Sequence, residues 1–103
     1  MDHSAAVLAP FADFDQVMEA VPRVLASGLG PYILEYIDNM TMAALIHTQN
    51  LELGIPDAIR DTCAAYLVVA LENRTSARLD EDVEHAGELL ASLGAVDAYM
   101  LEG

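Results

Sequence analysis

The stretch at residues 65–71, "AYLVVAL", decides the fold because it is apolar on both sides of an extended chain. Its side chains alternate between two apolar rows, Tyr66, Val68 and Ala70 on one side and Leu67, Val69 and Leu71 on the other. A strand of this kind is typical of the middle of a sheet that is covered on both faces. We therefore expect this stretch to be a central strand.

Further strands and helices can be predicted before and after this strand in the sequence. Short apolar runs predict strands at 5–11, 32–37 and 96–101, and helical spacing of apolar residues predicts long helices at 13–27 and 79–93 and a short one at 40–47. We expect Pro22 to kink or break the first helix. A helical turn is expected in "PDAIRD" (56–61), and a turn in "ENRTSAR" (72–78).

This order of elements predicts an α+β fold. Two strand–helix–strand units indicate a ferredoxin-like split βαβ sandwich, a mostly antiparallel four-stranded sheet with two long helices on one face. The short helix would be an insertion after the second strand. The 103 residues are enough for one domain with a single core.

The charge of the chain argues against two classes of partner. The sequence contains seventeen acidic residues and only four Lys and Arg residues, which gives a net charge of −13. Neither nucleic acid nor an anionic membrane surface attracts such a chain. No apolar stretch is long enough to span a bilayer, and the N-terminus lacks the basic start of a signal peptide. With a single cysteine, Cys63, a cytoplasmic location is expected.

Two carboxylates in the second predicted strand are the candidate site residues. Glu35 and Asp38 lie three positions apart in "YILEYID" (32–38), so within a strand they would point to opposite faces and could not form a catalytic pair. We expect Asp38, or its neighbour Asn39, to cap the short helix. Glu35 shares its face with Ile33 and Ile37, and therefore needs a partner or a face that this chain leaves open.

The remaining titratable and metal-ligating residue types do not form a recognisable catalytic site. Glu81, His85 and Glu88 share one face of the second long helix and could hold a divalent metal ion, but a solvated helix face is the preferred interpretation because their spacing is not that of a known zinc signature. Cys63 is expected to be an inert buried side chain. We therefore predict no catalytic, cofactor-binding or metal-binding residue in this chain.

Three segments resemble the C-terminal domain of FAD-linked oxidases of the glycolate oxidase D-subunit and D-lactate dehydrogenase type. They are "VLAPFADFDQVMEAVPRVLASGLGPYILEYIDNMTM" (7–42), "AAYLVVALEN" (64–73) and "LLASLGAVDAYML" (89–101). The acidic-x-x-Asp motif of that family corresponds to Glu35 and Asp38. The similarity covers the first half of the domain, and "ALEN" stands where "ELEG" is usual in the family.

The resemblance implies that the chain is a fragment of the C-terminal cap domain of a larger flavoenzyme. Such enzymes oxidise D-2-hydroxy acids and pass a hydride to FAD, which lies in a separate N-terminal domain. The histidine-rich motif of the family has no counterpart here, so the fragment alone is expected to bind no FAD and to catalyse nothing. Glu35 and Asp38 are then candidates for residues that face the FAD-binding domain.

This interpretation makes the second face of the sheet an interface. We expect that face to pack over the FAD-binding domain of the parent chain, or to form a homodimer when that domain is absent. The alternative is a stand-alone ferredoxin-like module that dimerises or binds a small ligand between two sheets.

Overall fold

The structure, a computed structural model, describes residues 3–102. In chain order its elements are β1 (His3–Phe11), α1 (Phe14–Leu25), β2 (Ile33–Asp38), α2 (Asn39–Gln49), α3 (Asp57–Thr62), β3 (Ala65–Asn73), α4 (Ser76–Ser92) and β4 (Tyr99–Glu102).

The four strands form one antiparallel sheet with the order β2-β3-β1-β4. Strand β3 pairs with both β1 and β2, so the apolar stretch at 65–71 lies inside the sheet as its composition predicts. Each strand–helix–strand unit leaves a gap of one strand, which a strand of the other unit fills. This interlocking is the split βαβ arrangement, and the predicted α+β, ferredoxin-like fold is confirmed.

The first face of the sheet carries the larger core. Helices α1 and α4 both pack on this face, where they bury the inward rows of β1 and β3. The fully buried contributors include Phe11, Leu67, Val69, Val17 and Leu90. The two long helices therefore lie on one face, as expected.

The second face is half covered, which the sequence did not predict. Helix α2 and the segment through α3 bury a smaller cluster over Leu8 and Tyr66, with Met42, Ile55 and Cys63 as its other fully buried members. Away from α2 the same face is more open, since Ile33 is 42% exposed. The expectation of a wholly open second face is therefore wrong for the half next to α2, because the inserted segment supplies its own apolar side chains.

Three local predictions change in detail. Helix α1 continues through Pro22 to Leu25, so the break expected there does not occur. The helix can continue because the proline removes only one backbone hydrogen-bond donor from it. Strand β3 extends to Asn73 and α4 begins at Ser76, so the turn expected over 72–78 is shorter. The final strand begins at Tyr99 rather than at 96.

Candidate functional site

The two candidate carboxylates lie on opposite faces of β2. Glu35 is paired in register with Val68, on the second face, whereas Asp38 is paired with Ala65, whose neighbours belong to the core of the first face. The structure therefore does not bring them together as an acid–base pair. This agrees with the period-two argument from the sequence.

Asp38 is the N-cap of α2. Its Oδ1 accepts a hydrogen bond from the backbone N–H of Thr41 at 2.7 Å, and its backbone is extended, as a capping residue requires. This hydrogen bond and a second one from the Thr41 side chain hold the pKa of the Asp38 carboxyl below its ordinary value. Of the two capping residues that the sequence allowed, the structure selects Asp38.

Glu35 lies on the uncovered half of the second face. We name this region the open sheet patch and define it as Ala6, Ile33, Glu35 and Val68. Glu35 pairs with Val68, which borders the smaller cluster, and Ala6 and Ile33 lie on either side of the buried Ala70. Glu35 and Ile33 are exposed, while Ala6 and Val68 are half-buried. Because β2 is an edge strand, the carboxylate of Glu35 reaches solvent at the edge of an otherwise apolar surface.

A polar cluster that the sequence analysis missed lies at the covered end of the same face. Asn39 Nδ2 donates to the carbonyl oxygen of Arg60 at 2.8 Å. Asn39 Oδ1 faces two further donors, the Tyr66 hydroxyl at 3.5 Å and the Cys63 thiol at 3.7 Å. One amide side chain therefore connects α2, α3 and the central strand.

Asn39, Arg60 and Tyr66 of this cluster line a cleft of about 300 Å³ between α2 and α3. Arg60 lies in its wall, and its guanidinium is paired with Asp57, which raises the pKa of Arg60. The Arg60 Nε atom is buried and has no hydrogen-bond partner in the structure. The volume is at the small end of the range for ligand pockets, about 300–1,000 Å³.

The phenol in this cleft stays neutral over the ordinary pH range. Burial raises the pKa of Tyr66, and the neighbouring Cys63 thiol raises it further. Tyr66 can therefore act as a hydrogen-bond donor but not as a base. The sequence indicated Asn39 only as an alternative cap of the short helix and Tyr66 only as an apolar strand residue, and it gave no signal for Arg60.

The metal alternative receives no geometric support from the described residues. Within 3–102, no three or more His, Cys, Asp and Glu side chains are grouped closely enough to hold an ion. Glu81, His85 and Glu88 are all exposed along α4.

Among the helices within residues 3–102, none combines the length and the apolar character needed to cross a membrane.

Comparison with known proteins matches the whole sequence to one family. The family described as "FAD linked oxidases, C-terminal domain" matches residues 1–103. Two curated relatives, both uncharacterised FAD-linked oxidoreductases, come from Mycobacterium tuberculosis strains CDC 1551 / Oshkosh and ATCC 25618 / H37Rv. Each is 74% identical over all 103 residues, and the chain spans 22% of the length of each. With its split βαβ fold, this chain belongs to the C-terminal-domain family of FAD-linked oxidases.

Proposed function

We propose that this chain is part of an FAD-dependent oxidoreductase that oxidises a D-2-hydroxy acid of the glycolate or D-lactate type. The observation that carries the proposal is the family match over every residue of the chain. The curated relatives, named FAD-linked oxidoreductases, are more than four times as long as the matched segment, which leaves ample length for a separate FAD-binding domain.

The described residues do not fit FAD itself. The "SGLG" sequence at 27–30 ends a helix instead of starting one, so it lacks the strand–loop–helix context that binds a diphosphate. The cleft of about 300 Å³ matches a small ligand and is too small for a dinucleotide. We therefore assign FAD to the other domain of the parent chain and assign no chemical step to this one.

The open sheet patch is the surface that we propose to face the FAD-binding domain. Its apolar residues, exposed or half-buried, adjoin a single carboxylate, Glu35 at the sheet edge, which could pair with a basic group across an interface. Asp38 contributes differently, since its carboxylate is already engaged in capping α2. In this proposal Asp38 fixes the start of α2, and Glu35 makes the contact.

A second copy of the chain is the alternative occupant of this patch. Two identical chains of net charge −13 repel each other, which disfavours a homodimer relative to an interdomain contact.

We also propose a cytoplasmic location, which is supported by a single buried thiol, Cys63, and no disulfide among the described residues.

The test uses the full-length polypeptide that carries this sequence. We expect it to purify with a flavin absorption spectrum that bleaches anaerobically on addition of D-lactate or glycolate, while L-lactate leaves the spectrum unchanged. A colourless protein would refute the FAD assignment. A yellow protein that L-lactate reduces as fast as D-lactate would refute the proposed substrate class.

A further inference from the structure

The segment between β2 and β3 begins and ends at neighbouring points of the sheet. Asp38, the last residue of β2, is paired in register with Ala65, the first residue of β3. The backbone N–H of Asn39 donates to the Ala64 carbonyl oxygen at 3.0 Å and extends this pairing by one position. We name residues 39–62 the flap and define it as α2, α3 and the connection between them. Because β2 and β3 hold its two ends together, the flap can move without breaking a strand pair.

The flap covers the sheet with few buried side chains. Met42 in α2 and Ile55 in the connection are its two buried residues, and α3 buries none. Helices α1 and α4 bury three residues each on the other face of the sheet. Burial of apolar side chains is what holds an element against its neighbours. The flap is therefore attached to the sheet more weakly than the two long helices are, and a weakly attached segment is the one that opens locally.

The two helices of the flap are joined to each other. Asn39 Nδ2 in α2 donates to the Arg60 carbonyl oxygen in α3 at 2.8 Å. Apolar side chains from both helices, Ile46 and Ile59, pack on the same smaller core. The side-chain hydrogen bond to the central strand, from the Tyr66 hydroxyl to Asn39 Oδ1, is longer at 3.5 Å. We therefore expect α2 and α3 to move together rather than one at a time.

The cleft beside Tyr66 exists only while the flap is closed. Tyr66 of β3 forms one wall, and the other lining residues belong to α2 and α3. Movement of the flap away from the sheet removes those walls and uncovers the buried side chains of Leu8 and Tyr66 beneath them. The position of the flap therefore controls access to the Tyr66 hydroxyl.

We propose that the flap is a hinged unit that opens and closes over Tyr66 while the four strands, α1 and α4 stay folded. Its hinges are the end of β2 and the start of β3, which the pairing of Asp38 with Ala65 keeps side by side. Met42 and Ile55 hold the closed state, so their burial sets how often the flap opens. This inference goes beyond the proposed function and depends on neither its cofactor nor its substrate.

Hydrogen–deuterium exchange of the full-length polypeptide, read by mass spectrometry of its peptides, tests the hinged flap. We expect amides of α2 and α3 to exchange at least about tenfold faster than those of β3, because local opening exposes them. Met42→Ala removes a contact that closes the flap and should accelerate exchange in α2 and in α3 by the same factor, at least about tenfold. Leu45→Ala, at an exposed position of α2, is the matched control and should change these rates by less than about twofold.

A variant in the larger core shows whether the flap opens by itself. Val24 of α1 is buried on the other face of the sheet, so Val24→Ala weakens the larger core but not the flap. It should accelerate exchange in β3 and leave the rates of α2 and α3 unchanged. Equal acceleration of α2 and β3 by Val24→Ala would show that the flap opens only with the whole domain, and would overturn the proposal. Acceleration of α2 without α3 by Met42→Ala would also overturn it.

Low concentrations of urea give a second measurement that needs no variant. Opening of the whole domain exposes more surface than opening of the flap, so exchange in β3 should rise more steeply with urea than exchange in α2. Equal slopes, or exchange in α2 as slow as in β3 without urea, would contradict independent opening of the flap.

Discussion

The side chain of Asn39 holds the backbone of Arg60 in place: its Nδ2 donates to the Arg60 carbonyl oxygen at 2.8 Å, across 21 positions of sequence. The backbone N–H of Asn39 also donates to the Ala64 carbonyl oxygen at 3.0 Å. The first residue of α2 is therefore joined to α3 and to the start of β3. This residue fixes how the inserted segment closes over the second face of the sheet.

We expect Asn39→Ala to lower the free energy of unfolding by about 1–3 kcal/mol, because it leaves the Arg60 carbonyl and the Tyr66 hydroxyl without their partner. Urea unfolding followed by circular dichroism measures the change. Gln49→Ala, at the exposed end of α2, is the matched control and should change stability by less than about 0.5 kcal/mol. Equal effects of the two substitutions would show that the Asn39 contacts do not stabilise the fold.

The cap on α2 makes a pH-dependent contribution to stability. Asp38→Ala removes the acceptor for the Thr41 N–H, and we expect a melting temperature lower by about 5 °C at neutral pH. The pKa of Asp38 is lowered in the folded state, so its charge stabilises the fold above the unfolded pKa of about 3.9, and that stabilisation is lost as the pH falls through the folded pKa. The difference from wild type should therefore shrink below about pH 4.

Two further variants separate capping from general charge effects. Asp38→Asn keeps a capping acceptor and should lose less stability than Asp38→Ala at neutral pH. Glu52→Ala removes an exposed acidic side chain from a loop and should leave the melting temperature unchanged. If Asp38→Ala behaves like Glu52→Ala at every pH, the cap does not contribute.

The sequence predicted the elements whose pattern is local and strong. A continuous apolar run placed β3 inside the sheet, and the two-residue period placed Glu35 on the face of Ile33 and Ile37. The N-cap at Asp38 also followed from local chemistry. These features depend on neighbours along the chain, so one sequence is enough to predict them.

The cover over the second face depends on contacts between distant positions. Leu53, Ile55 and Ile59 all pack on the smaller core, but the two-residue step from Leu53 to Ile55 and the four-residue step to Ile59 belong to no single period, so no periodicity revealed them. Tyr66 meets Asn39 across 27 positions, which no local pattern encodes. The candidate cleft was missed for the same reason, since its walls come from three separate elements.

Alkaline pH should destabilise the chain through its buried tyrosine. Burial raises the pKa of Tyr66, so the folded state keeps the phenol protonated while the unfolded state ionises above about pH 10. The stabilisation is complete below that pH and is lost as the pH rises towards the folded pKa. Tyr66→Phe cannot ionise at this position, so its unfolding free energy should fall less steeply above pH 10 than that of wild type.

The comparison with neutral pH tests the same residue in a second way. The hydrogen bond of the Tyr66 hydroxyl to Asn39 is long, 3.5 Å, so Tyr66→Phe should change stability by only about 1 kcal/mol at pH 7. Tyr32→Phe, at an exposed tyrosine, is the control and should follow the wild-type pH dependence. A Tyr66→Phe profile parallel to wild type above pH 10 would contradict the buried, protonated phenol.

The end of α4 is held by a glycine that no other residue can replace without strain. Gly94 has φ of +104°, and a Cβ atom added there would lie 2.7 Å from Nε2 of Gln16. We expect Gly94→Ala to lower the unfolding free energy by about 1–2 kcal/mol, because left-handed backbone strain remains even if the flexible Gln16 side chain moves away. Gly87→Ala is the matched control within α4: it meets nothing within 4 Å, and a helical alanine should stabilise by about 0.5–1 kcal/mol.

A double variant separates the two causes of the Gly94 effect. If the contact with Gln16 contributes, Gly94→Ala should be less destabilising in a Gln16→Ala background, because the atoms it would meet are gone. The backbone strain does not depend on Gln16. The double variant should therefore still have an unfolding free energy about 1 kcal/mol lower than that of Gln16→Ala alone. Complete recovery would show that the side-chain contact is the only cause. An unchanged loss would show that the backbone conformation alone requires glycine where α4 turns towards β4.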